Sequence, residues 1–277
     1  MLILFSIGVG LNLLMAGFRE LRLPGVLQRI ALVYFICVVL VLYINPKYIL
    51  IFSLLVLLFY RFLLLIPPPD QGMAQLLPEM NIVNWVDKVI IPFRLYRETW
   101  DPEGLLSTLP AVVTGTSGIF AGFLLVNQGF TRFRKNIFLF LIALMSISLG
   151  LIWNKTFPVN KNLWTSSYVL LTSGLAFLIV AFFELLDTAR LFGKWRMIFV
   201  IPGSNAITIY ILHVLLLFPL VFLSFGSFEG VQAEFMEFFI SAGIFPKLAS
   251  LIWALLYTAL CLWPARILYR RRIFLKV

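Results

Sequence analysis

Charge is scarce in this sequence: 12% of the 277 residues are Asp, Glu, Lys or Arg, against about 25% in a soluble domain. That supply cannot cover a water-exposed surface, which excludes an ordinary soluble fold. Cysteine is nearly absent. Cys37 and Cys261 both lie inside apolar runs, so there is no disulfide framework or cysteine metal site, and both read as small apolar fillers. A single histidine, His213, excludes a histidine-rich metal centre. The sequence contains no Walker loop, no Rossmann glycine fingerprint and no H-E-x-x-H, which removes the chemistries those motifs carry.

What fills the chain instead is hydrocarbon. Hydrophobic residues make up 62% and the mean hydropathy is +1.02. A helix needs roughly 20 mostly apolar residues to cross a bilayer. Long unbroken runs of that size, rather than alternating ones, select helices over a barrel. The fold class expected is all-α: a polytopic integral membrane protein with about eight transmembrane helices. The spans fall near 1–17, 27–45, 47–66, 104–127, 136–153, 164–186, 203–223 and 246–268. Connections are short, so residues 1–277 read as one domain, except for a long loop over 67–103 opened by Pro67, Pro68 and Pro69. The first span begins at Met1 within the apolar run, without the basic segment of a signal peptide, and reads as N-terminally truncated.

Placing successive loops on alternate sides gathers twelve basic residues on one face: Lys47, Arg132, Arg134, Lys135, Arg190, Lys194, Arg196, Arg266, Arg270, Arg271, Arg272 and Lys276. Only Glu184 and Asp187 oppose them there. The other face is neutral. By the positive-inside rule the basic face is cytoplasmic, which puts both termini inside and residues 67–103, 154–163 and 224–245 outside. The sequence pI near 9.9 then reflects topology and anionic lipid, not nucleic acid. Short loops favour a bacterial inner membrane.

Within spans, ionisable groups are costly and mark candidate sites. Arg29 opens the second span. His213 lies mid-span in the seventh and suits either acid–base chemistry or a helix-linking hydrogen bond. Asn205 and Thr208 are spaced to share a face near the cytoplasmic end, where a polar headgroup could dock. Asp101 and Glu103 stand where the long loop becomes a helix; they read as helix-capping carboxylates or as the floor of an external cavity that takes an amine's proton. The short stretch Asn154–Trp164 is dense in amides and lysine, suited to hydrogen-bonding and stacking on a sugar, and Asn154-Lys155-Thr156 fits a glycosylation acceptor. In the fourth span, Gly115, Gly118 and Gly122 allow close helix approach, and the Gly118–Gly122 G-x-x-x-G pair offers a homodimer face.

Five stretches together resemble the heparan-α-glucosaminide N-acetyltransferase family of transmembrane acyltransferases. They are Leu23–Arg29, Trp100-Asp101-Pro102-Glu103-Gly104, Phe157–Trp164, Pro202-Gly203-Ser204-Asn205 with Tyr210 and His213, and the basic tail Arg271–Lys276. The resemblance implies acetyl transfer from cytoplasmic acetyl-CoA, a co-substrate rather than a bound cofactor, to the amine of an extracytoplasmic glucosamine-type sugar or glycan. It implies catalytic roles for Asp101 and Glu103 and acceptor binding by Arg29, Asn160, Lys161, Asn162 and Trp164; the spacing of Asn205 and Thr208 near the cytoplasmic end makes them the donor-binding candidates. It also implies two preceding helices and a loop carrying a catalytic histidine, which this chain lacks; His213 matches a different family histidine. The competing expectations are a sugar or N-acetylglucosamine transporter and an inactive remnant.

Overall fold

A computed structural model describes residues 1–16, 21–70, 72–97, 99–189, 191, 193–222 and 230–274. Arg190 and Lys276 of the basic face lie outside them. Among the described residues there are eleven α-helices and no strand. The chain divides into two compact units, residues 1–191 and 192–277, where the sequence suggests one undivided domain.

The first unit holds α1 (Leu2–Ala16), α2 (Val26–Tyr43), α3 (Pro46–Leu63), α4 (Ile82–Ile90), α5 (Thr108–Val126), α6 (Arg132–Asn154) and α7 (Ser166–Thr188). Of these, α2, α3, α5, α6 and α7 are long and apolar enough to span a bilayer, and α1 is a shorter apolar helix. Their starts follow from local chemistry. Asn45 caps α3 ahead of Pro46, Asn81 caps α4, and Thr131 caps α6, each side chain accepting a backbone N–H of the first turn. Large apolar side chains such as Leu42, Leu55 and Leu141 face outward, as lipid contact requires.

At the centre sits α5, packed on α2, α3, α6 and α7. Hydroxyl pairs fasten it across the apolar interior: Thr116 with Ser53 of α3 at 2.8 Å and Ser117 with Ser173 of α7 at 3.1 Å. The closest backbone approach is elsewhere. A Cβ on Gly150 of α6 would lie 2.8 Å from the Leu171 nitrogen of α7, and one on Gly174 would lie 2.8 Å from the Ile147 nitrogen of α6. Among the fourth-span glycines, one meets a neighbouring helix. Gly115 abuts Val33 and Cys37 of α2, but Gly118 and Gly122 face open space.

Contacts define two ends of this unit: at one, Lys135 reaches the Leu125 carbonyl and Arg132 pairs with Asp187; at the other, the end of α3 meets the loop between α6 and α7. The loop 67–103 is folded rather than loose. Helix α4 buries Ile82 and Val83 against Tyr60, Leu64, Phe157 and Leu163, and the Tyr60 hydroxyl donates to the Leu163 carbonyl at 2.6 Å.

The second unit holds a short 3₁₀ turn (Gly193–Arg196), α8 (Met197–Ser204), α9 (Ala206–Phe222), α10 (Gly230–Ser241) and α11 (Pro246–Arg270). Helix α11 is long enough to span. The seventh span is not the single rod expected over 203–223, because α8 and α9 meet at 78°. Pro202 cannot continue the backbone ladder, and at the break Asn205 leaves helical geometry with φ −136° and ψ 40°. Asn205 stands at the start of α9, its carbonyl accepting the Ile209 N–H at 3.0 Å.

Candidate functional site

The segment before α5 shows how a few charges organise the loop end. The expected span began at 104, but α5 starts at Thr108, so Asp101 and Glu103 stand too far back to cap it. Asp101 instead grips Arg22: Nε donates to Oδ2 at 2.7 Å and Nη2 to Oδ1 at 2.6 Å. Its two oxygens also accept the Tyr96 and Glu103 backbone N–H groups at 3.0 and 2.9 Å. With its side chain wholly buried, Asp101 has its acceptor capacity committed to holding the loop. Glu103 accepts from the same Arg22 guanidinium but keeps a partly open side chain. Burial works against the charge on Arg22, yet Asp101 and then Glu103 more than offset it and raise its pKa above the usual arginine value. The guanidinium also lies over the Tyr96 ring, 4.9 Å from its centroid.

Behind this pair sits Asp87, on the buried side of α4. Its Oδ1 accepts the Leu105 N–H at 2.8 Å, and the carboxylate presses so close to Gly104 that a Cβ there would lie 1.7 Å from Oδ2. Only glycine fits that position. Burial, chiefly, pushes the Asp87 carboxyl up to about 6 from 3.8. Neither Asp87 nor Arg22 stands out in the sequence. Asp87 lies in a mixed stretch with no motif, and Arg22 one residue ahead of the Leu23–Arg29 stretch; a charged residue in so uncharged a chain was the one available signal.

Gly104 is held from its other side by Arg29, whose Nη2 donates to the Gly104 carbonyl at 3.3 Å and to the Ser107 hydroxyl. Arg29 is 6% exposed, and its Nε and Nη1 are buried with no hydrogen-bond partner. Its guanidinium carbon lies 4.9 Å from the centroid of the Trp164 ring. Trp164 reaches that position through a left-handed backbone, φ 52°, which a bulky side chain adopts only when its surroundings enforce it. The indole N–H donates to Thr114 at 3.2 Å, and Tyr168 meets the ring edge-on.

The Asn160 side chain builds the turn that enforces this. Its Oδ1 accepts from Asn162 N at 2.9 Å and Leu163 N at 3.3 Å, while Nδ2 donates to the Leu76 carbonyl at 3.2 Å. Asn160 is thus a scaffold for the loop. Asn162 is exposed and does not line the cavity described next.

Arg29, Glu103, Lys161 and Trp164 converge on one cavity of about 820 Å³, whose remaining walls are mostly apolar side chains of α2 and α5. Four of the sequence-predicted site residues are therefore brought together, with Asp101 and Asn160 as their supports. In the second unit, Asn205 is buried and donates to the Ile273 carbonyl at 3.1 Å. The Nδ1 of His213 lies 2.6 Å from the Tyr210 carbonyl; a carbonyl only accepts, so Nδ1 carries the proton. Tyr257 of α11 donates its hydroxyl to the His213 backbone carbonyl, linking α9 and α11 through the main chain, whereas the imidazole's own bond stays within α9. No group of three or more His, Cys, Asp or Glu suited to a metal occurs among the described residues.

No family model matches the sequence. Two curated proteins are similar to it: human heparan-α-glucosaminide N-acetyltransferase, 31% identical over 186 residues, and the mouse enzyme of the same name, 30% identical over 187. Each match covers 64% of this chain, but the chain spans only about a quarter of the relatives' length, 25% and 26%. Identity at this level over most of an all-helical membrane chain supports a distant relationship to the heparan-α-glucosaminide N-acetyltransferases.

Proposed function

We propose that the protein transfers an acetyl group from cytoplasmic acetyl-CoA to the amine of a glucosamine-type sugar on the extracytoplasmic side, in a bacterial inner membrane. The observation that carries this is the convergence of a carboxylate, two cations and an indole on one cavity at the neutral, loop-bearing end. A sugar ring stacks on Trp164, its oxygens meet Arg29 and Lys161, and its amine meets Glu103. Glu103 takes a proton from the ammonium. The freed nitrogen bonds to the thioester carbonyl carbon, the carbon–sulfur bond breaks, and the second nitrogen proton leaves with the coenzyme A sulfur. The basic end suits the polyanionic donor. We place the donor's headgroup near Asn205 and Thr208, polar residues spaced for it at the expected cytoplasmic end.

The test is radiolabelled acetyl transfer from acetyl-CoA to glucosamine by the detergent-purified chain. Wild type is expected to give N-acetylglucosamine, with Glu103→Gln slower by about 10²- to 10⁴-fold, the usual share of a general base. Undiminished transfer by Glu103→Gln would remove Glu103 from the mechanism.

One observation favours a second reading, sugar transport: discontinuous helices hold substrate in many transporters, and α8–α9 is broken by 78°. That reading needs uptake of labelled N-acetylglucosamine without any acyl donor.

A further inference from the structure

The cavity at the loop end does not stop beneath its polar head. It continues as an open groove along α2 and α5, lined by Val33, Val41 and the outward-facing Leu42 on one side and Gly118 and Ile119 on the other. From Val26 to Leu42 it follows α2 for roughly 24 Å at the helical rise of about 1.5 Å per residue, most of the roughly 30 Å hydrocarbon thickness of a bilayer. Gly118 opens the α5 wall, because nothing lies within 4 Å of where its Cβ would stand. A free sugar fills only the head of such a space.

The head, in turn, asks for negative charge. Arg29 is 6% exposed and keeps two nitrogens buried without a partner, and Lys161, an exposed cation, lines the same cavity. Two unpaired nitrogens on a buried guanidinium are costly, whereas a phosphate oxygen satisfies them with charge-assisted hydrogen bonds. Glu103 and Trp164 at the same head suit an amine and a sugar face.

From these features we infer that the acceptor is lipid-linked: an aminosugar joined through phosphate to one long hydrocarbon chain, with the sugar at Glu103 and Trp164, the phosphate at Arg29 and Lys161, and the chain lying in the groove along α2 and α5. This rests on the acetyl-transfer reading and names its substrate class. Lipid tails are as apolar as the groove walls, so transfer from the bilayer supplies no drive of its own. The polar head selects the ligand, and the groove fixes where its chain lies.

The experiment uses glucosamine 1-phosphate esterified to a long alkyl chain bearing a diazirine near its far end, added to the full chain in nanodiscs and photolysed. Labelling is expected at residues 38–42 of α2 and at 118–119 of α5, suppressed by excess unlabelled lipid-linked sugar. Gly118→Leu, whose side chain fills the groove, is expected to cut that labelling about tenfold or more. Gly122→Leu, equally open but outside the cavity, leaves it unchanged and controls for folding. Equal labelling by an alkyl phosphate without sugar would mark the groove as an ordinary lipid contact and overturn the inference, as would labelling that Gly118→Leu does not alter. Efficient acetylation of soluble glucosamine without specific labelling overturns the lipid-linked acceptor and leaves acetyl transfer standing. Specific, competed labelling without any acetylation upholds the groove and removes the transferase reading.

Discussion

Asp101 and Glu103 are two residues apart and hold the same arginine, yet they do different work. Asp101 is saturated by Arg22 and two backbone N–H groups, so Asp101→Ala leaves the Arg22 Nε and two backbone donors without their partner while Glu103 still holds the guanidinium. Each buried donor left unsatisfied costs about 1–3 kcal/mol, and thermal unfolding in detergent is expected to show a clear drop. Asp87 adds a pH dependence whose sign follows from its burial. Its carboxyl titrates at about 6 in the fold and at 3.8 when released, so the native state binds the proton more tightly. The stabilisation is full below pH 3.8 and lost as pH rises through 6. Melting temperature is expected to fall over that window, and Asp87→Asn is expected to flatten the fall. Glu103 and Trp164 were legible in the sequence as a carboxylate at a loop-to-helix junction and an indole in an amide-rich loop. Asp87 was not, because only the folding of 67–103 onto the bundle buries it.

At the scale of helices, hydropathy located each apolar run but not how the runs pack. Gly118 and Gly122 carry the G-x-x-x-G pattern, whereas the tight crossing is made by Gly150 and Gly174, lone glycines on two different helices that no local pattern pairs. Gly174→Leu is expected to split α6 from α7 and abolish a monodisperse folded species on size exclusion, while Gly122→Ala is expected to behave as wild type. Boundaries failed where proline and buried side chains compete with the helix. The fourth span starts at Thr108 rather than 104 because residues 104–107 are claimed by Asp87 and Arg29, and the seventh breaks at Asn205 because Pro202 and the Ile273 carbonyl draw the backbone out of line.

For the whole molecule, the outward apolar surface fixes the solvent as lipid, and the uneven charge predicts a direction by the positive-inside rule. Single cysteines placed at Lys47 and at Asn162 in a chain otherwise lacking cysteine are expected to react with a membrane-impermeant maleimide from opposite sides of intact spheroplasts: Asn162→Cys from outside, Lys47→Cys only after lysis. The transferase reading is tested most directly in proteoliposomes with glucosamine trapped on the loop side and labelled acetyl-CoA supplied on the basic side. Labelled N-acetylglucosamine appearing with the trapped sugar is the expected result. Labelled N-acetylglucosamine crossing the membrane with no acetyl-CoA present, and no acetylation when it is supplied, would contradict it.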